Sequence, residues 1–93
     1  MSQESLDERF RRLSKIVETK ATRPPMSLTT KLELYGLWNQ AMYGPNKRRQ
    51  PSRLSVAAYA KWSAYKKYEH MSKEEAKKKF SEIAEKAVKA SKL

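Results

Sequence analysis

The chain has 93 residues, no cysteine, and 21 Lys and Arg against 10 Asp and Glu, a formal net charge of +11. That length holds one modest core and is read as one domain over 1–93. The absence of cysteine excludes disulfides and thiolate metal sites, and no run approaches the ~18 apolar residues of a membrane span.

Helical periodicity dominates and strand alternation is weak, with only two glycines in the chain. The N-terminal MSQESLDERFRR lacks an apolar core of signal-peptide length, so a cytoplasmic location is expected. Leu6, Phe10, Leu13 and Val17 repeat at helical spacing and predict a first helix over about 4–20, ended by Pro24 and Pro25. Ser27 is the expected N-cap of a second helix over about 28–42, closed by Gly44-Pro45. Its apolar residues Leu28, Leu32, Leu34, Tyr35, Leu37, Trp38, Ala41 and Met42 cover an arc of about 220°, roughly twice the usual core stripe. Such a helix is either central in its bundle or has a second apolar face that receives a ligand. The segment 46–52 is polar, basic and proline-punctuated, and reads as a loop. A third helix follows over about 54–68. Ser72 and Glu75 form a capping box that opens a fourth helix near Lys73, with Ala76, Phe80, Ile83, Ala84, Ala87 and Val88 as its apolar stripe.

The charge is unevenly placed. Residues 1–46 carry 7 bases and 5 acids; residues 47–93 carry 14 bases and 5 acids. A basic half points to a polyanionic partner: nucleic acid, an anionic membrane, or a phosphorylated small molecule.

Two segments choose among these. Leu34-Tyr35-Gly36-Leu37-Trp38-Asn39-Gln40-Ala41 with Gly44, and Lys61-Trp62-Ser63-Ala64-Tyr65, resemble the signature of the acyl-CoA-binding protein family. Pro51 fits the loop proline of that family, Met71-Ser72-Lys73-Glu74-Glu75-Ala76 fits the start of its last helix, and the spacing holds without a gap from about Leu32 to Phe80. The resemblance implies an all-α, antiparallel up-down-down-up four-helix bundle. It implies non-catalytic binding of medium- to long-chain fatty acyl-CoA esters by a monomeric intracellular buffer and carrier with no cofactor. Transient contact with a membrane or with acyl-CoA-using enzymes is compatible with that role, and no nucleic acid is expected.

The resemblance also implies a ligand site. Lys61 matches a lysine that meets the CoA 3′-phosphate, and its apolar neighbours suggest a partly shielded ammonium that attracts phosphate more strongly than one in bulk water. Tyr35 matches a tyrosine whose hydroxyl meets the same phosphate region, and Trp38 an aromatic position near the adenine. Leu32 and Ala60 match positions lining the ligand groove, and Trp62 a packing residue. Three positions depart from the family pattern. Asn39 and Ala57 stand where lysines are usual, and Phe80 where a tyrosine packs on the adenine–ribose end. Lys47, Arg48 and Arg49 of the basic loop are candidate phosphate contacts that offset the loss at Asn39.

Three alternatives remain, one of them a membrane-surface module carried by the amphipathic, lysine-rich fourth helix, whose stripe of small residues plus Phe80 is too weak for stable insertion alone. The lysine–aromatic interleaving of 61–79 suits a basic DNA-binding module of the high-mobility-group-box kind. The three departures allow the same fold with weakened ligand binding. His70 stands alone beside a helix start, and no catalytic constellation converges, so no enzyme is expected.

Overall fold

The computed structural model describes residues 3–91. Among the described residues there are four α-helices and no strand: α1 Leu6–Glu18, α2 Leu28–Tyr43, α3 Val56–Lys66 and α4 Lys73–Ala90. They form the all-α, up-down-down-up bundle that the resemblance implies, with α2 packed on both α3 and α4, and α1 packed on α4.

α1 opens with a capping box: the Ser5 hydroxyl accepts from the Glu8 N–H while the Glu8 carboxylate accepts from the Ser5 N–H. It ends at Glu18, well before Pro24 and Pro25. What stops it is local. Arg23 folds back and donates from Nε to the Val17 carbonyl at 2.5 Å and from Nη2 to the Glu18 carbonyl at 2.8 Å, and the Thr22 hydroxyl donates to the Ile16 carbonyl. These bonds satisfy carbonyls that the last helical turn leaves without partners. The two prolines therefore belong to the connection and do not terminate the helix.

α2 is the centre of the molecule. Its Leu34, Leu37 and Ala41 belong to the buried core with Phe10 and Leu13 of α1 and Ala76, Phe80 and Ala84 of α4. Gly36 is buried against α3, where an added Cβ would lie 2.2 Å from the Ala64 carbonyl oxygen. Gly44 ends the helix at φ 79°, a left-handed conformation open to glycine, with its N–H donating to the Gln40 carbonyl. Gln40 is buried and donates to the Met71 carbonyl at 2.7 Å, tying α2 to the approach of α4.

α3 is shorter than the expected 54–68 because turns take both ends. The Ser52 hydroxyl and carbonyl accept from the Leu54 and Ser55 N–H groups, and Tyr68 and Glu69 bond back to Tyr65 and Lys66. α4 begins at Lys73 behind the expected Ser72–Glu75 capping box. It runs alongside α1 in the same direction, as the ion pairs Asp7–Lys77 at 2.9 Å and Arg12–Glu85 at 3.2 Å show. Phe10 meets Phe80 edge-to-face beneath them, with centroids 5.1 Å apart.

Candidate functional site

The two faces of α2 have different fates. Leu34, Leu37 and Ala41 go to the core. Leu28, Leu32, Tyr35 and Trp38, spaced three and four residues apart, form a second stripe that faces the gap between α2 and α1. Both readings of the wide apolar arc therefore hold: the helix is central, and it also presents a second apolar face. That gap is a cavity of about 700 Å³, within the size range of small-molecule sites. Ser14, Val17 and Glu18 of α1 and Met26 of the connection line its other side. Leu34 and Phe80, both 2% exposed, close its base.

Tyr35 is the meeting point of the polar groups. The Lys61 ammonium stands 5.9 Å from the centre of its ring, within cation–π range. Nη1 of Arg48 donates to its hydroxyl at 3.3 Å. The Asn39 amide donates to its backbone carbonyl at 2.8 Å. One turn on, Trp38 is half-buried on the cavity wall and meets Tyr43 edge-to-face at 5.8 Å.

Arg48 reaches Tyr35 because the loop that carries it is fixed to α3. The Trp62 indole N–H donates to the Arg48 carbonyl at 2.9 Å, and Asn46, buried, donates to the Trp62 carbonyl and accepts from the Arg48 N–H. Tyr65 donates to the Gly44 carbonyl at 2.6 Å. Burial pushes the Tyr65 phenol above its ordinary pKa, with Arg48 opposing, so this donor keeps its proton. Trp62 is thus a fold residue, as the resemblance implies, and its packing sets the position of the loop cation.

Of the residues singled out from the sequence, Leu32, Tyr35, Trp38, Asn39, Arg48, Lys61 and Phe80 line this one cavity. Ala60, Lys47 and Arg49 do not. Ala60 is half-buried elsewhere on α3, and Lys47, Arg48 and Arg49 are all exposed; Arg48 alone of the three lines the cavity, from a backbone that Trp62 and Asn46 hold at its C=O and N–H. Lys61 is exposed, so its ammonium is not shielded as its apolar helix neighbours suggested, though it stands over the Tyr35 ring. Asn39 is 4% exposed and its amide N–H is engaged by Tyr35, which makes it part of the wall and not a free phosphate donor. Phe80 is a core ring pressed on Phe10, with little face left for an adenine to stack on.

Arg23 and Lys31 also line the cavity. Lys31 stands four residues before Tyr35 on the same helix face, a spacing that was available in the sequence. Arg23 had no such signal, since its place depends on the fold-back onto α1. The wall therefore holds four cations, Arg23, Lys31, Arg48 and Lys61, against one carboxylate, Glu18. An apolar slot with an aromatic wall and a cationic rim suits an amphiphile with an anionic, ring-bearing head. Among the described residues no group of His, Cys, Asp and Glu could hold a metal ion, and no helix is long and apolar enough to cross a membrane.

Comparison with known proteins agrees with this geometry. Residues 7–84 match the family model described as acyl CoA binding protein. An acyl-CoA-binding protein of Fritillaria agrestis is 42% identical over 60 residues, covering 64% of this chain and 69% of that one. The acyl-CoA-binding domain-containing protein 1 of Arabidopsis thaliana is 37% identical over 81 residues, 84% of this chain, which spans about a quarter of that relative's length (24%). The crystal structure of Oryza sativa acyl-CoA-binding protein 2 superposes with a TM-score of 0.86 at 30% identity, covering 95% of this chain and 94% of that one. The chain belongs to the acyl-CoA-binding protein family.

Proposed function

We propose that this protein binds medium- to long-chain fatty acyl-CoA esters without catalysis and serves as a monomeric cytoplasmic buffer and carrier for them. The observation that carries the reading is the convergence of Tyr35, Trp38, Arg48 and Lys61 on one apolar cavity. In this reading Lys61, beside the Tyr35 ring, and Arg48, at its hydroxyl, hold the 3′-phosphate, and Arg48 supplies from the loop the charge lost at Asn39. Trp38 offers the adenine a larger surface than a phenol ring, worth roughly 1–3 kcal/mol by analogy with base stacking elsewhere. Leu28, Leu32 and Met26 give the acyl chain an apolar wall. Each buried methylene contributes roughly 0.8 kcal/mol, so two more carbons raise affinity by about fifteenfold before ordering costs. Delivery then needs only passing contact with a membrane or an acyl-CoA-using enzyme.

The weakened-binding alternative rests on Asn39, Ala57 and Phe80. Arg48 answers the first, Ala57 is exposed and lines no part of the cavity, and the Phe80 ring is committed to the core. The high-mobility-group alternative needs the rings of 61–79 free at the surface. Tyr65 is 4% exposed and bonded to Gly44, Tyr68 packs on the core, and Trp62 is half-buried with its indole N–H held by the Arg48 carbonyl. Calorimetric titration with palmitoyl-CoA, CoA and palmitate tests the reading. Tight binding of the ester, weaker binding of CoA and poor binding of palmitate are expected; equal affinity for ester and palmitate would remove any role for the cationic rim.

A further inference from the structure

Five large apolar side chains are exposed among the described residues. Leu28 and Tyr43 rim the cavity, and Met42 lines a smaller hollow beside α1. Leu54 and Val56 line neither, yet they are 93% and 75% exposed. Their exposure is held in place by the backbone. The Ser52 hydroxyl and carbonyl accept from the N–H groups of Leu54 and Ser55, forming a turn that presents Leu54 outward. The Arg53 guanidinium lies 5.6 Å from the Tyr59 ring centre, and Tyr59 in turn stands 6.2 Å from Trp62, which anchors the loop. The segment is stiffened from beneath while its two aliphatic tips stay bare.

Charge around these tips has one sign. Lys47, Arg48, Arg49 and Arg53 precede them, and no Asp or Glu occurs anywhere from 34 to 68. Bare aliphatic side chains on a segment whose charges are all cationic match a surface that is anionic outside and hydrocarbon within. We propose that the segment 47–56 is a docking surface for an anionic lipid leaflet, with Leu54 and Val56 entering the acyl boundary and Arg53 and its neighbours on the headgroups. Nucleic acid fits less well. Its bases need free ring faces, whereas Tyr59 has Arg53 against it and Trp62 is tied to the loop, and a phosphate backbone gives no use to Leu54. Arg48 belongs both to this segment and to the cavity wall, so docking brings the ligand site to the leaflet.

The proposal does not depend on what the cavity holds, and its test uses no CoA ester. The full chain is sedimented with vesicles of phosphatidylcholine alone and with phosphatidylserine added. Binding is expected for the mixed vesicles and not for phosphatidylcholine alone. The double substitution Leu54→Ser/Val56→Ser, which leaves charge untouched, should lower the partition coefficient by about tenfold or more, and Arg53→Gln by about fivefold. Lys78→Gln/Lys79→Gln on exposed α4 positions removes twice the charge elsewhere and should still change binding by less than Arg53→Gln alone. Circular dichroism checks that each variant is folded. As a second readout, Leu54→Cys labelled with a polarity-sensitive dye (the chain's only thiol) should shift to the blue on mixed vesicles. No binding to anionic vesicles, unchanged binding by the Leu54/Val56 variant together with an unshifted dye, or tight duplex-DNA binding at physiological salt without vesicle binding would each overturn it.

Discussion

Tyr35 is touched from three sides: Lys61 at its ring, Arg48 at its hydroxyl and Asn39 at its carbonyl. The two cations come from different segments, so each can be removed without unwinding α2. Lys61→Ala and Arg48→Ala should each weaken palmitoyl-CoA binding by about tenfold or more, the scale of one charge-assisted hydrogen bond, with helicity unchanged in circular dichroism. Unaltered affinity in both variants would show that the phosphate lies elsewhere. Tyr35, Trp38 and Lys61 were legible in the sequence because their spacing sits within continuous helices, where a motif fixes the face. Arg48 was legible only as one of three loop cations. What distinguishes it from Lys47 and Arg49 is the pair of bonds from Trp62 and Asn46, and a side chain 14 residues away choosing a loop conformation leaves no local trace.

At the scale of the elements, α2 shows why a helix with apolar residues on two sides was hard to read. The pattern reported two faces but not which was covered; the core takes the one bearing Leu34 and Leu37, and the cavity takes the one bearing Leu32 and Tyr35. Gly36 decides how near α3 can come. Gly36→Ala would place a methyl 2.2 Å from the Ala64 carbonyl oxygen, a backbone atom that moves only with α3 itself. A stability loss of about 2–3 kcal/mol is expected in urea unfolding. Because Lys61 rides on α3, ligand affinity should fall as well. Wild-type stability in this variant would mean that the two helices are less closely packed than described. The starts of α2 and α4 followed from their caps, whereas the end of α1 did not. Arg23 reaches back five and six residues to the Glu18 and Val17 carbonyls, and proline was the stronger but misleading signal.

For the molecule as a whole, the seam between α1 and α4 carries acid sensitivity. Burial raises the Glu85 carboxyl pKa, but Arg12 and Arg9 outweigh it and hold the group below the ordinary range. Arg12 lowers Glu4 as well, and the capping bonds from Ser5 and Ser72 lower Glu8 and Glu75. A carboxylate depressed in the folded state stabilises fully above its unfolded value and loses that stabilisation as pH falls through the folded one. The melting temperature should therefore hold from pH 7 to about 5 and fall below about 4.3, the more so because protonating the acids leaves 21 cations unopposed. Glu85→Gln should flatten part of that fall while costing at most about 1 kcal/mol at neutral pH, since its partners lie at the surface. A melting temperature level down to pH 3 would remove these carboxylates from the account.

The most direct test of the central claim is the affinity of the protein for a series of CoA esters from acetyl to stearoyl, measured by calorimetry. Affinity should climb steeply, by up to about fifteenfold for each two carbons, and then level off once the space between α1 and α2 is filled. Equal affinity for acetyl-CoA and palmitoyl-CoA would show that the cavity does not receive an acyl chain.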